Sequence, residues 1–213
     1  MYAPAHVSTA LAVKRAFPVA PLFGLMLAAQ AIEFLWVLLT YLGVEHQSVD
    51  PNGYLHLDYL PYSHSLLTGF GSAVVAYVVI RWGFGHPRLA QAIALAMASH
   101  IVYDLVQHEP DIQLAPGLDQ PRFGLDLAAI PALDFVIELA LSIGCWWYFR
   151  GGWGLLIGVV VLNLTNLPMM FGDSSAGSLL TNRAILPTII LVQTLVCIAV
   201  FWLLARRTQV ASR

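Results

Sequence analysis

Apolar residues run along this chain in six blocks, separated by short stretches that carry most of its prolines, glycines and charges. The blocks fall at Val19–Val44, Ser63–Phe84, Leu89–His108, Leu127–Phe149, Gly152–Phe171 and Ala184–Ala205. Each is about the 20 residues that a helix needs to cross a bilayer. Pro61, Pro87, Pro110, Pro121 and Pro187 fall at or near their ends, as helix boundaries favour. The pattern predicts an all-α polytopic membrane bundle of six transmembrane helices. There is no repeat or low-complexity tract, so residues 1–213 read as a single transmembrane domain.

Composition agrees. Of 213 residues, 59% are hydrophobic and 10% charged, with a mean hydropathy of +0.74. Soluble domains carry about 25% charged residues. Lys14 and Arg15 precede the first block as in a signal peptide, but the block is far longer than a signal core of about 7–15 residues. It reads as a retained first helix, which leaves His6 in a disordered tail. Cys145 and Cys197 lie within apolar runs and read as small core residues. No basic tract with interleaved aromatics suggests nucleic acid.

Charge distribution adds orientation. With both termini cytoplasmic, Lys14, Arg15, Arg81, Arg88, Arg150, Arg206, Arg207 and Arg213 lie inside and only Arg122 and Arg183 outside. This is a strong positive-inside bias. Glu45, Asp50, Asp58, Glu109, Asp111, Asp119, Asp126 and Asp173 fall in outer loops or at their edges. Glu33, Asp104, Asp134 and Glu138 fall within helices.

Those intramembrane acids, with the histidines near them, are the candidate chemistry. Ionisable groups in a membrane usually face the bundle interior or a water-filled cavity. His100, Asp104 and His108 recur every four residues and share a helical stripe. His108 lies near the outer interface, with Asp104 about 6 Å and His100 about 12 Å deeper. His64 opens the second helix, Glu33 lies about 16 Å down the first, and Asp134 and Glu138 enter on the fourth. Histidine nitrogen and carboxylate oxygen are ligands for zinc and similar ions. His100 and His108 stand two turns apart, too far to share one ion; an adjacent pair holds one, or the stripe serves two ions about 3.5–4 Å apart.

Lesser features follow. Gly154 and Gly158 form a small-residue packing motif. Asn163, Thr165 and Asn166 read as interhelical hydrogen-bonding groups, and Asp134 as a cap or a paired residue. Trp82, Trp146, Trp147 and Tyr148 read as a cytoplasmic interfacial belt. The long connection from Glu109 to Asp126 would roof the polar cluster.

These residues resemble a known family. The runs Pro61 to Leu67 (PYSHSLL), Ser99 to Asp104 (SHIVYD) and His108 to Asp111 (HEPD) are similar to motifs of bacterial inner-membrane, membrane-bound metal-dependent hydrolases, distantly related to zinc-dependent phospholipase C. Ala31 to Leu39 with Gly43 to Glu45 resembles the family's first motif, in which aspartate is more usual where this chain has Glu33. Phe123 to Leu127 and Glu138 resemble the stretch that follows. The likeness covers residues 25–150; the helices of residues 152–205 add little. It implies His64, His100 and Asp104 as metal ligands, with Glu33, His108 and Glu138 as further candidates.

The expected function is hydrolysis of a phosphoester or similar bond in a lipid or amphipathic substrate, at a periplasm-facing site in the inner membrane. Metal-bound water is the nucleophile, zinc the expected ion (one or two), and Glu33 or Glu138 the proton acceptor. No Gly-x-Ser-x-Gly motif points to a serine hydrolase. The alternatives are a metal or proton transporter using the same cluster, and a metal-stapled structural protein.

Overall fold

The computed structural model describes residues 3–49, 55–171 and 184–211, with side chains throughout except at 47–49, 55–59 and 207–211. Asp50, Asp173, Arg183 and Arg213, part of the charge distribution above, lie outside the described residues.

The chain is mostly helical. Five stretches are long and apolar enough to cross a membrane: Leu66–Gly83, Pro87–Gln107, Pro131–Phe149, Trp153–Phe171 and Ile185–Arg206. They are built by α4 (Leu66–Val78), α5 (Pro87–Gln107), α6 (Pro131–Phe149), α7 (Trp153–Leu164) with α8 (Leu167–Phe171), and α9 (Ile185–Ala211). Large apolar side chains such as Val75, Val136, Ile157 and Val192 point away from the bundle, as lipid-facing residues do. Trp82, Trp147 and Trp153 are exposed near helix ends, where interfacial aromatics sit. The chain is a multi-pass membrane protein.

The first predicted span differs from expectation. α2 (Leu22–Ala29) and α3 (Ala31–Tyr41) meet at 50°. Gln30 leaves helical geometry there, with φ −109° and ψ 9°. Its side-chain amide donates to the Ala3 carbonyl at 3.0 Å, which ties the bend to the start of the chain.

The segment expected as a tail is instead a buried helix. α1 (Ala3–Ala16) packs against α2, α5, α6, α7 and α9. At 14 residues it is about 21 Å long, too short to span alone. Ala3, Ala5 and Ala10 allow close approach on its faces. Its hydroxyls are satisfied locally: Ser8 donates to the Pro4 carbonyl and Thr9 to that of His6. Lys14 closes the turn into α2 by donating to the Pro18 and Ala20 carbonyls at 2.6 and 2.9 Å. Around this helix lies the main core, which includes Leu11, Leu25, Met26, Leu155, Ile198 and Phe201.

Two close approaches set helix spacing. A Cβ on Gly69 of α4 would lie 2.1 Å from Ile101 of α5, and one on Gly158 of α7 would lie 2.8 Å from Leu204 of α9. The Gly154/Gly158 motif therefore seats α9.

Two small antiparallel pairs interrupt the all-α pattern in the connections. β1 (His46–Val49) pairs with β2 (Leu55–Tyr59), and β3 (Ile112–Gln113) with β4 (Arg122–Phe123). The connection from α5 to α6 folds back over the helix end: the Asp126 amide donates to the His108 carbonyl, and Leu67 of α4 donates to Leu114. Gly124 is required where this loop crosses, with φ +151° and a position at which any Cβ would meet the Glu109 carbonyl at 2.2 Å.

Candidate metal centre

α5 supplies the middle of the centre. His100 and Asp104 lie one turn apart on its buried face, and Nε2 of His100 stands 3.2 Å from Oδ2 of Asp104. The expected three-residue stripe stops there. The helix ends at Gln107, and His108 adopts φ −64° and ψ 144°, turning its Nδ1 to Asp111 at 3.1 Å. The extended backbone takes it off the helical face that carries His100 and Asp104.

The bend between α2 and α3 orients His100. A break in a helix frees carbonyls that the next turn would otherwise engage. The Ala29 carbonyl accepts from Nδ1 of His100 at 2.8 Å. That bond places the imidazole proton on Nδ1 and leaves the Nε2 lone pair facing Asp104. This is the arrangement of metal-binding histidines, whose second nitrogen is usually held by a carbonyl or carboxylate.

α3, restarting after the bend, brings Glu33 in its first turn, where the positive end of the helix dipole favours a carboxylate. Oε2 of Glu33 lies 3.7 Å from Nε2 of His100 and 3.8 Å from Nε2 of His64.

His64 is positioned by the start of α4. Ser65 caps that helix by accepting from the Thr68 amide, so His64 falls just outside it, with its amide bonded to the Leu60 carbonyl. Nδ1 of His64 lies 2.7 Å from Oγ of Ser63, which in turn donates to Oε2 of Glu45 at 2.6 Å. The Ser63 proton is committed to Glu45, so Ser63 accepts from His64, and the His64 lone pair is again on Nε2. Oε1 of Glu45 accepts the Tyr62 and Ser63 amides, both at 2.8 Å. Burial pushes the Glu45 carboxyl up from its ordinary range; the bonds from Ser63 and Tyr62 oppose that rise. The sequence reading placed Glu45 in an outer loop and missed this support; the Glu-then-Ser-His order across one hairpin was its only signal.

Nε2 of His64 stands 3.9 Å from Oδ2 of Asp104. Four ligand-type atoms, from Glu33, His64, His100 and Asp104, thus face one another at 3.2–3.9 Å along four edges. Ligands about 2.0–2.2 Å from a tetrahedral ion lie about 3.3–3.6 Å apart. Side-chain exposures of 7% for His64, 0% for His100, 1% for Asp104 and 16% for Glu33 make Glu33 the most open of the four to solvent. Two overlapping triads, Glu33–His64–His100 and His6–His100–Asp104, each bring their ligand atoms within 4.8 Å of one another and can hold a metal ion.

His6, expected in a tail, enters from α1. Its ring stacks on His100 at 3.8 Å between centroids, 9° from parallel, and its Nε2 lies 3.3 Å from Oδ1 of Asp104. The other sequence-predicted residues stand apart from the ligand groups. The His108 ring lies 5.7 Å from that of His64 and, with His64, Asp111, Gln113 and Arg122, lines a cleft at the hairpin end. Glu138 is buried on α6 and contributes no ligand atom to either group. Asp134, one turn earlier, accepts from Gln107 at 2.8 Å.

Comparison with protein-family models, curated proteins and solved structures gives no match for this chain.

Proposed function

We propose that the chain is a membrane-embedded, metal-dependent hydrolase acting on a phosphoester or similar bond of a lipid or amphipathic substrate. One observation carries the reading: Nε2 of His64 and Nε2 of His100 each face the carboxylates of Glu33 and Asp104 at 3.2–3.9 Å, with each imidazole's second nitrogen held. Buried groups of this kind are costly in a bilayer, and a purely structural role repays little, since membrane hydrogen bonds average about 0.6 kcal/mol.

His64, His100 and Asp104 hold the ion, for which the mix of imidazole and carboxylate suits zinc. Such an ion lowers the pKa of bound water to about 7. Glu33, the most exposed of the four, is within reach of that water and accepts its proton. The narrow cleft lined by His64, His108 and Arg122, about 10 Å³ in volume, marks the side from which a polar headgroup approaches while lipid tails stay in the bilayer. The positive-inside bias orients this end away from the cytoplasm, toward the periplasm if the host is bacterial.

A bent helix with its freed carbonyl at an ionisable cluster is also a device of ion pathways, so transport is the second reading. Against it, the bundle away from the hairpins is filled by the apolar core around Leu11, Met26 and Phe201.

Elemental analysis of the detergent-purified protein, made without chelators, tests the centre. The expected result is stoichiometric metal in the wild type, lost in both His64→Ala and His100→Ala; metal-free wild type refutes the reading. A phosphoester-hydrolysis screen on the loaded protein and zinc flux into proteoliposomes separate enzyme from transporter.

A further inference from the structure

We propose that His6 makes the centre a two-ion site, with Asp104 bridging between a first ion at His64, His100 and Glu33 and a second at His6. The inference rests on the reading of the cluster as a metal centre and goes beyond it in ion number and in the part played by α1.

The argument starts from the two oxygens of Asp104, which face different partners. Oδ2 lies 3.2 and 3.9 Å from the Nε2 atoms of His100 and His64, whereas Oδ1 lies 3.3 Å from Nε2 of His6. A carboxylate that offers one oxygen to each of two sets of nitrogens is a bridge, and bridged ions stand about 3.5–4 Å apart. The 3.3 Å separation of His6 and Asp104 is itself the edge expected for two ligands of one ion.

His6 is buried and faces Asp104 without a well-formed hydrogen bond. It is 1% exposed, and neither ring nitrogen makes a hydrogen bond among the described residues. Leaving buried polar atoms unsatisfied costs about 1–3 kcal/mol. Set among the hydrophobic and small residues of α1, this imidazole faces the Asp104 carboxylate at 3.3 Å, and an ion between the two engages Nε2 and Oδ1 together. Stacking on His100 fixes its ring plane in that direction.

The two positions also differ in kind. The first has His64, His100 and Glu33 beside Asp104, at the end where the cleft opens. At the second, His6 and Asp104 gather with His100, all three at most 1% exposed, so it is the more enclosed of the two. On this assignment the first ion keeps the position for water and substrate, with Glu33 beside it, and α1 delivers the second ion across the Asp104 carboxylate.

The test is metal titration of the purified full chain with cobalt(II) and manganese(II). Wild type is expected to bind about two equivalents, with manganese giving the electron paramagnetic resonance spectrum of an exchange-coupled pair at about 3.5–4 Å. His6→Phe, which keeps an aromatic ring against His100, is expected to bind about one equivalent with an uncoupled spectrum. One equivalent in the wild type, or an uncoupled pair, overturns the inference while leaving the metal centre standing. Two equivalents retained in His6→Phe overturn it likewise. No metal in the wild type overturns both readings. If His6→Phe does not fold, the wild-type stoichiometry and coupling decide alone.

Discussion

Nδ1 of His100, on α5, is bonded at 2.8 Å to the carbonyl of Ala29, the last residue of α2. The contact joins the bend in the first span to the ligand in the third, and it commits the His100 lone pair to Asp104. His100→Ala and Asp104→Asn should each weaken zinc binding by more than about 100-fold, since even outer-shell changes cost about 10–100-fold. Competition titration against a chromophoric chelator measures this; affinity within threefold of wild type in either variant would remove that residue from the ligand set.

Glu45 and Ser63 act on the ion only through His64. Glu45→Gln and Ser63→Ala are therefore expected to lower metal affinity by about 10–100-fold without changing stoichiometry. Glu45→Gln should be the milder, because an amide oxygen can still accept from Ser63 and the backbone. The same titration reads the outcome, and unchanged affinity in Ser63→Ala would show that His64 is held by other means.

Metal removal should loosen the bundle. An ion bound only by the folded protein at about 1,000 times its dissociation constant adds about 4 kcal/mol. For a chain of this size the apparent Tm should fall by about 8–16 °C on chelation and return when zinc is restored. Affinity should also drop as pH is lowered, because protons compete with the metal for imidazole and carboxylate. Thermal scans of detergent-solubilised protein with and without chelator, at several pH values, check both.

Gly69 lets α4 approach α5 so closely that a Cβ there would lie 2.1 Å from the Ile101 side chain. Gly69→Ala should destabilise by about 1–3 kcal/mol through overpacking and displace His64, which precedes the same helix. Shortening the opposing side chain with Ile101→Ala should restore part of the loss. A double-mutant cycle on Tm and metal affinity gives the coupling; additive effects would place the clash elsewhere.

Much of this centre could be read from the chain because its residue types stand out against an apolar background. Glu33, His64, His100 and Asp104 are dear to bury, so their presence in membrane-length blocks marks them. Helical periodicity could pair His100 with Asp104 but could not foresee that α5 stops at Gln107 and turns His108 aside. The bend at Gln30 was hidden because the block from Val19 to Val44 is continuous in hydropathy, and tertiary bonds to Ala3 and His100 favour the break. His6 was hidden for a different reason. α1 is too short to span and carries Ser8, Thr9 and Lys14, so by composition it resembles a solvated tail. Only its packing among five other helices identifies it as core.

That burial bears on how the protein is made. α1 precedes the other described helices in the chain, yet it packs against α6 and α9, the latter following all of them. Until those arrive, the segment that carries His6 has no bilayer-spanning length and no complete surface to rest on. The centre therefore closes only once α9 is in place against α1, and a chain cut short before α9 would retain His64, His100 and Asp104 without a secured His6.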